Sequence, residues 1–149
     1  MSQQPYLRFQ RANYLVKSID QALTFYQDVL GFEIAFTKDS PEDSYSYPVF
    51  EIDRAHPMKF AVLSTKEQVR VMALTEVPAD LPPVPFPRRS AIVLEVGDVE
   101  AVCAGAAALG LKVYEEEELH THDGRIGQEV GIVDFDGNLV VIYKIPAAG

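Results

Sequence analysis

Cysteine, tryptophan and histidine are scarce in this chain of 149 residues. It contains one cysteine, Cys103, three histidines and no tryptophan. A single cysteine excludes an internal disulfide bond, so we expect a reducing compartment, the cytoplasm. No apolar run approaches the roughly 20 residues that span a bilayer, and residues 1–11 lack the apolar centre of a signal peptide. We therefore expect no membrane segment.

Positively charged residues are also few. Thirteen Lys and Arg residues oppose twenty-two Asp and Glu residues, which gives a formal net charge of −9. Nucleic acids and anionic lipids bind to basic surfaces, so we expect neither as a partner. Hydrophobic residues make up 48% of the chain, which is enough to form the core of a single domain over residues 1–149.

What the chain does contain is an internal repeat with a period of about 80 residues. The offset is 80 between Val16 and Val96, and 79 between Gly31 and Gly110. Each copy begins with an apolar run, continues as an amphipathic stretch and ends in a Leu-Gly pair. This order predicts a strand, a helix that glycine terminates, and a second strand, in each half of the chain.

Capping residues mark the start of both predicted helices. Ser18 can accept a hydrogen bond from the backbone at Gln21, and Asp98 can cap the second helix in the same way. The second helix is predicted over residues 99–109. Cys103 lies inside it, and we interpret this cysteine as a small buried hydrophobic residue rather than a nucleophile.

Further strands complete each half. Four short apolar runs predict strands, at residues 59–63, 69–75, 127–133 and 138–143. The Asp136-Gly137 pair predicts a tight hairpin between the last two. Each half therefore has the order strand, helix and three strands, written βαβββ.

The predicted organisation is two such modules joined by a linker. Module 1 covers about residues 7–78, module 2 covers about residues 90–146, and a proline-rich linker occupies residues 79–89. Residues 38–47 are predicted to form a polar loop. Residues 48–57 are compatible with an edge strand or with one helical turn.

Two motifs resemble those of a known family. They are the run from Val16 to Phe32 (V-x-S-x-D-x-A-L-x-F-Y-x-D-V-L-G-F) and the run from Asp134 to Ile142 (D-F-D-G-N-L-V-V-I). Together with the repeat, they resemble the vicinal-oxygen-chelate superfamily, which includes glyoxalase I, bleomycin resistance proteins and extradiol dioxygenases. The resemblance implies an α+β fold in which two βαβββ modules form a half-open barrel around a shared cleft. It also implies a small-molecule ligand and a homodimer.

The resemblance further implies where a metal would bind. Metal-using relatives place His or Glu at four cleft positions, which correspond here to Arg11, Ala73, Ala91 and Val141. Arginine is a fixed cation, and the other three side chains carry no lone pair, so none can be a metal ligand. We therefore expect no metal and no other cofactor. Metal-free resistance proteins, which sequester their ligands, become the preferred comparison.

Side chains alternate between the two faces of a strand, and the resemblance indicates which face lines the cleft. The expected ligand-binding residues are Arg11, Asn13, Tyr45, Tyr47, Phe60, Ala73, Thr75, Val93, Glu95, Val141 and Tyr143. Arg11 could bind a carboxylate, phosphate or enolate oxygen, or form an internal salt bridge with Glu95 or another acidic neighbour. The aromatic residues Tyr45, Tyr47 and Phe60, together with Phe50, could form a lid over the cleft or a second small core.

The sequence is also compatible with other classes of function. A metal-free isomerase or lyase could use Glu95 as general base and Arg11 to stabilise an enolate. A metal-dependent lyase, isomerase or dioxygenase would need ligands relocated to His56, His120 or His122. The last two lie close to the acidic run at residues 115–118, which is also typical of a solvated edge. A structural or regulatory partner domain is a third class.

Overall fold

Each half of the repeat forms its own β-sheet in a computed structural model that describes residues 5–147. Sheet A has four strands in the order β1-β4-β3-β2: β1 (Ala12–Val16), β2 (Glu33–Asp39), β3 (Lys59–Ser64) and β4 (Met72–Glu76). Sheet B has the path β5-β9-β8-β6, with β7 also paired to β8: β5 (Ala91–Glu95), β6 (Lys112–Val113), β7 (Glu117–His120), β8 (Ile126–Val133) and β9 (Leu139–Lys144).

Local signals position the helices, which are α1 (Ile19–Tyr26), α2 (Ser46–Val49) and α3 (Val99–Ala108). The Ser18 hydroxyl accepts a hydrogen bond from the Gln21 amide at 3.1 Å, and the Asp98 carboxylate accepts one from the Ala101 amide at 3.0 Å. Both predicted caps are confirmed. Gly110 directly follows the C-cap of α3 and has a positive φ, the left-handed conformation that glycine adopts at low cost. Gly31 also has a positive φ but lies after a turn that follows the end of α1 at Tyr26.

The same topology occurs in both halves. The first strand of each module pairs in parallel with its last, β1 with β4 and β5 with β9. The other main pairings, β2 with β3, β3 with β4 and β8 with β9, are antiparallel. The predicted α+β architecture, two open sheets in a half-open barrel, is confirmed.

A single main core connects the modules. It contains buried residues of α1 and α3 and one face of each sheet, among them Phe25, Tyr26, Leu63, Leu74, Val102, Ile132 and Ile142. A Cβ built at Gly105 on α3 would lie only 2.9 Å from Val29, so the missing side chain allows the segment after α1 to approach α3 closely. Cys103 is partly buried beside this core, and burial raises the pKa of its thiol.

Several element boundaries differ from the sequence-based expectations. Helix α1 ends at Tyr26, before the predicted Leu-Gly stop, β2 extends to Asp39 into the predicted loop, and β4 begins at Met72 rather than at residue 69. The sequence does not predict β7, which pairs the acidic run with β8. The helical turn α2 begins at Ser46, inside the predicted loop. Helix α3 ends at Ala108, one residue earlier than predicted, with Leu109 as its C-cap. Within residues 5–147, no helix is long and apolar enough to cross a membrane.

Candidate functional site

A seam between the two sheets organises the candidate site. The Tyr14 hydroxyl on β1 donates to the Leu139 carbonyl at 2.7 Å and accepts from the Ile92 amide at 2.9 Å, which ties β1 of sheet A to β9 and β5 of sheet B. Burial raises the pKa of Tyr14, so the hydroxyl keeps the proton that it donates. The edges of both sheets are therefore held side by side, with the helices on one side of them.

The opposite sides of the two sheets form the candidate cleft. In β1, Ala12, Tyr14 and Val16 pack in the main core, so Asn13 and Leu15 point to the cleft side. In sheet B, alternate residues of β5, β8 and β9 pack in the core. The residues between them lie on the other side of the sheet, which we call the open face. It carries Ala91, Val93, Glu95, Glu129, Val141 and Tyr143.

The cleft side of sheet A is covered. A second cluster of buried residues lies against it, formed by Tyr47, Ile52, Met58 and Val77 with Leu15, Phe50 and Leu81. Ala73 and Thr75 in β4 are only 4% and 3% exposed. The Thr75 hydroxyl is satisfied by donating to the Asn13 side-chain oxygen at 2.9 Å. A ligand reaches these two side chains only if the covering segment moves.

The predicted aromatic residues separate into different environments. Tyr47 is buried in the second cluster and donates its hydroxyl hydrogen bond to the His56 carbonyl at 2.6 Å. Tyr45 is 77% exposed and lies outside that cluster. Phe60 is partly buried and contacts Phe36, with ring centroids 6.1 Å apart. Tyr47 and Phe50 thus follow the alternative of a second small core rather than that of a lid.

The open face of sheet B is accessible. Val93 is 62% exposed, and Val141, its direct partner in β9, is partly buried. Beside this apolar pair, Tyr143 lies between Glu95 and Glu129 in one row across three strands. The sequence analysis missed Glu129, although its place between Gln128 and the core residue Val130 carries the same alternation signal.

Arg11 and Glu95 do not form the predicted salt bridge. Both are exposed, and neither takes part in an ion pair among residues 5–147. At the protein surface, water solvates both charges, and pairing two flexible side chains offers little gain in free energy. Arg11 precedes β1 rather than lying within it.

The residues at the four metal positions do not fit a metal. Arg11, Ala73, Ala91 and Val141 offer neither carboxylate, imidazole nor thiolate. No group of three or more His, Cys, Asp or Glu residues able to hold an ion occurs in the described part of the chain. All three histidines are exposed, and His120 hydrogen bonds to the equally exposed Glu118 at 3.0 Å.

The predicted site residues border several different cavities. Val93 borders a cavity of about 320 Å³ that also contacts Phe9 and Ile92. Glu95 borders another of about 420 Å³ beside the start of α3. Val141 borders a third of about 280 Å³ with Glu129. The structure therefore does not bring the eleven predicted residues into one pocket.

Comparisons with known proteins agree with this architecture. A glyoxalase family protein from Bacillus cereus superposes with a TM-score of 0.74 at 15% identity, covering 99% of both chains. The trypanothione-dependent glyoxalase I of Leishmania major gives 0.64 at 18% identity, covering 93% of this chain and 87% of the enzyme. A mutant of the fosfomycin resistance protein FosX from Listeria monocytogenes, crystallised with Mn(II), gives 0.60 at 14% identity, covering 91% of this chain and 89% of FosX.

These identities are too low to carry more than the fold, and no curated protein sequence matches the chain significantly. A family model, however, matches residues 8–142, which is most of the sequence. The chain belongs to the glyoxalase, bleomycin resistance protein and dioxygenase superfamily.

Proposed function

We propose that this protein binds a small, flat or moderately apolar organic molecule on the open face of sheet B, without a metal ion. The observation that carries the proposal is the chemistry of that face. Val93 and Val141 present accessible apolar surface, and polar groups of Tyr143 and Glu95 flank it. Ligand sites commonly combine apolar walls, which give affinity, with a few polar groups, which orient the ligand.

The residues at the metal positions support the metal-free part of the proposal. FosX was crystallised with Mn(II) and dihydroxypropylphosphonic acid. By the resemblance of the motifs, an arginine, two alanines and a valine stand here at the positions where metal-using relatives carry ligands. Exposed Asn13 on β1 and exposed Arg11, which precedes β1, are the groups of module 1 that such a ligand could contact. Catalysis by Arg11 and Glu95 stays a prediction, which turnover assays of Arg11→Ala and Glu95→Gln would address.

A neutral aromatic probe tests the binding face. N-phenyl-1-naphthylamine fluorescence is expected to report binding to the wild-type protein with equal affinity in EDTA and in Mn²⁺. Val93→Asp is expected to weaken that binding about tenfold, because it removes an apolar contact worth about 1.5 kcal/mol when fully buried. The change should not unfold the protein, since Val93 is largely exposed.

Val69→Asp is the matched control, because Val69 is 77% exposed and lies outside the open face. It should bind the probe as the wild-type protein does. Binding that appears only with Mn²⁺, or equal loss in both variants, would contradict the proposal.

The proposal includes a homodimer in the cytoplasm. Residues 5–11 precede β1 and expose Tyr6, Leu7 and Phe9 almost completely, which is apolar surface that a second copy could cover. Sedimentation equilibrium is expected to give twice the monomer mass for the wild-type protein and the monomer mass for the Leu7→Glu, Phe9→Glu double variant. A wild-type monomer, or a double variant that stays dimeric, would exclude this interface.

A further inference from the structure

We propose a second binding site, for a small organic carboxylate with an apolar body, in the cavity between the proline-rich linker and the turn after β8. The cavity has a volume of about 500 Å³. The end of β1, the linker and the β8–β9 turn each contribute to its wall. None of the eleven predicted ligand-binding residues lines it, so the inference is independent of the proposed function.

The floor of the cavity is fixed by hydrogen bonds between the modules. The Asn138 side-chain amide donates to the Leu15 carbonyl at 3.2 Å. The Lys17 amide donates to the Asp136 carboxylate at 3.0 Å. Both bonds join the end of β1 to the β8–β9 turn. This part of the cavity is therefore already ordered before a ligand binds, and binding loses little entropy there.

The opposite wall is apolar and stiff. Leu81 and Val84 of the linker contribute aliphatic surface, together with Pro82, Pro83 and Pro85. Proline restricts the backbone to few conformations, so a linker of this composition loses little entropy on binding. A hydrocarbon or aromatic body placed here would be removed from water.

Arg88 supplies a cation at the polar end. Its Nε atom donates to the Gly137 carbonyl at 2.6 Å, and its guanidinium carbon lies 5.5 Å from the centroid of the Phe86 ring. Within residues 5–147, the two terminal nitrogens of Arg88 have no hydrogen-bond partner. A guanidinium held at Nε and free at its terminal nitrogens can donate two parallel hydrogen bonds to a carboxylate.

The other charged groups of the lining limit the negative charge that a ligand can carry. Lys17 adds a second cation to the lining. The Asp134 carboxylate is already occupied by four hydrogen bonds and offers nothing to a ligand. Asp136 remains, and burial raises the pKa of its carboxyl. Asp134 and Asp136 together balance the charges of Lys17 and Arg88, so the lining is neutral overall. A polyanion gains no attraction from such a lining, and a single carboxylate is attracted through the hydrogen bonds that the terminal nitrogens of Arg88 can donate to it.

Titration calorimetry with octanoate and octanamide tests the site, because the two probes share a hydrocarbon chain and differ in charge. The wild-type protein is expected to bind octanoate at least about tenfold more tightly than octanamide, the ratio expected for a charge-assisted hydrogen bond. Arg88→Gln is expected to lose that advantage, and Lys17→Gln to reduce it.

Arg89→Gln is the matched control, since Arg89 is the exposed neighbour of Arg88, does not line the cavity and carries the same charge. It should retain octanoate affinity within about twofold. Val93→Asp should also retain it, which separates this cavity from the open face. Absence of octanoate binding, equal affinity for octanamide, equal loss in Arg88→Gln and Arg89→Gln, or loss in Val93→Asp would each overturn the inference.

Discussion

Replacing Asp134 with alanine is expected to lower the free energy of unfolding by about 3–5 kcal/mol, a large part of the 5–15 kcal/mol that typically stabilises a domain. Asp134 is buried at the β8–β9 turn. One carboxylate oxygen accepts from the amides of Asp136 and Asn138, both at 2.8 Å. The other accepts from the Tyr26 hydroxyl at 2.8 Å and from the Asn138 side chain at 3.0 Å.

The size of this effect comes from the donors that would be left without a partner. The Tyr26 hydroxyl lies in the main core, and burial raises the pKa of Tyr26 well above its usual value, so it remains a neutral donor. A buried donor that loses its acceptor costs about 1–3 kcal/mol. Urea denaturation of Asp134→Ala measures the loss.

Asp136→Ala is the control for charge, since it also removes one carboxylate from the same turn. Asp136 is only partly buried and accepts one hydrogen bond, from the Lys17 amide. Its replacement is expected to cost about 1 kcal/mol. If the two variants lose the same stability, the turn is not held by the Asp134 network.

Replacing Ile142 with alanine is expected to lower the free energy of unfolding by about 3–4 kcal/mol. Ile142 on β9 is fully buried in the main core, and truncation leaves a cavity among close-packed side chains. Val141→Ala, the neighbour on the open face, is expected to cost about 1 kcal/mol or less, because Val141 is only partly buried. Thermal and urea unfolding of both variants provide the measurement.

The Ile142→Ala and Val141→Ala variants also test which side of β9 faces the core and which side belongs to the open face. Adjacent residues of a strand point to opposite sides of the sheet. The reverse order of the two losses would mean that the open face and the core face of β9 are exchanged, and the proposed binding surface would then be wrong.

The parts of the fold that the sequence predicted are those with local causes. Ser18 and Asp98 cap helices through atoms three residues away, and Gly110 ends α3 through its own backbone conformation. These interactions need no tertiary contact to be recognisable. Repeated at a spacing of about 80 residues, they predicted two βαβββ modules. The superfamily, which the family model shows, was inferred from the resemblance of two motifs, at residues 16–32 and 134–142.

The parts that were missed depend on contacts between distant segments. The acidic strand β7 has little intrinsic tendency to form a strand and exists through its pairing with β8. Burial of Thr75 depends on the segment around Tyr47, which is far away in sequence. The Arg11–Glu95 ion pair was one of two alternatives for Arg11, and it assumed that strand alternation places both side chains inside the cleft. Both side chains are exposed, and the free energy of an exposed pair is too small to impose the contact.

Tyr14 and Leu94 occupy equivalent places in the two halves, 80 residues apart, yet only Tyr14 carries a hydroxyl that reaches across the seam. A protein assembled from two copies of the first half would bring two tyrosines to that junction, and one assembled from two copies of the second would bring none. If the halves descend from a single duplicated ancestor, divergence at this position has made them non-interchangeable.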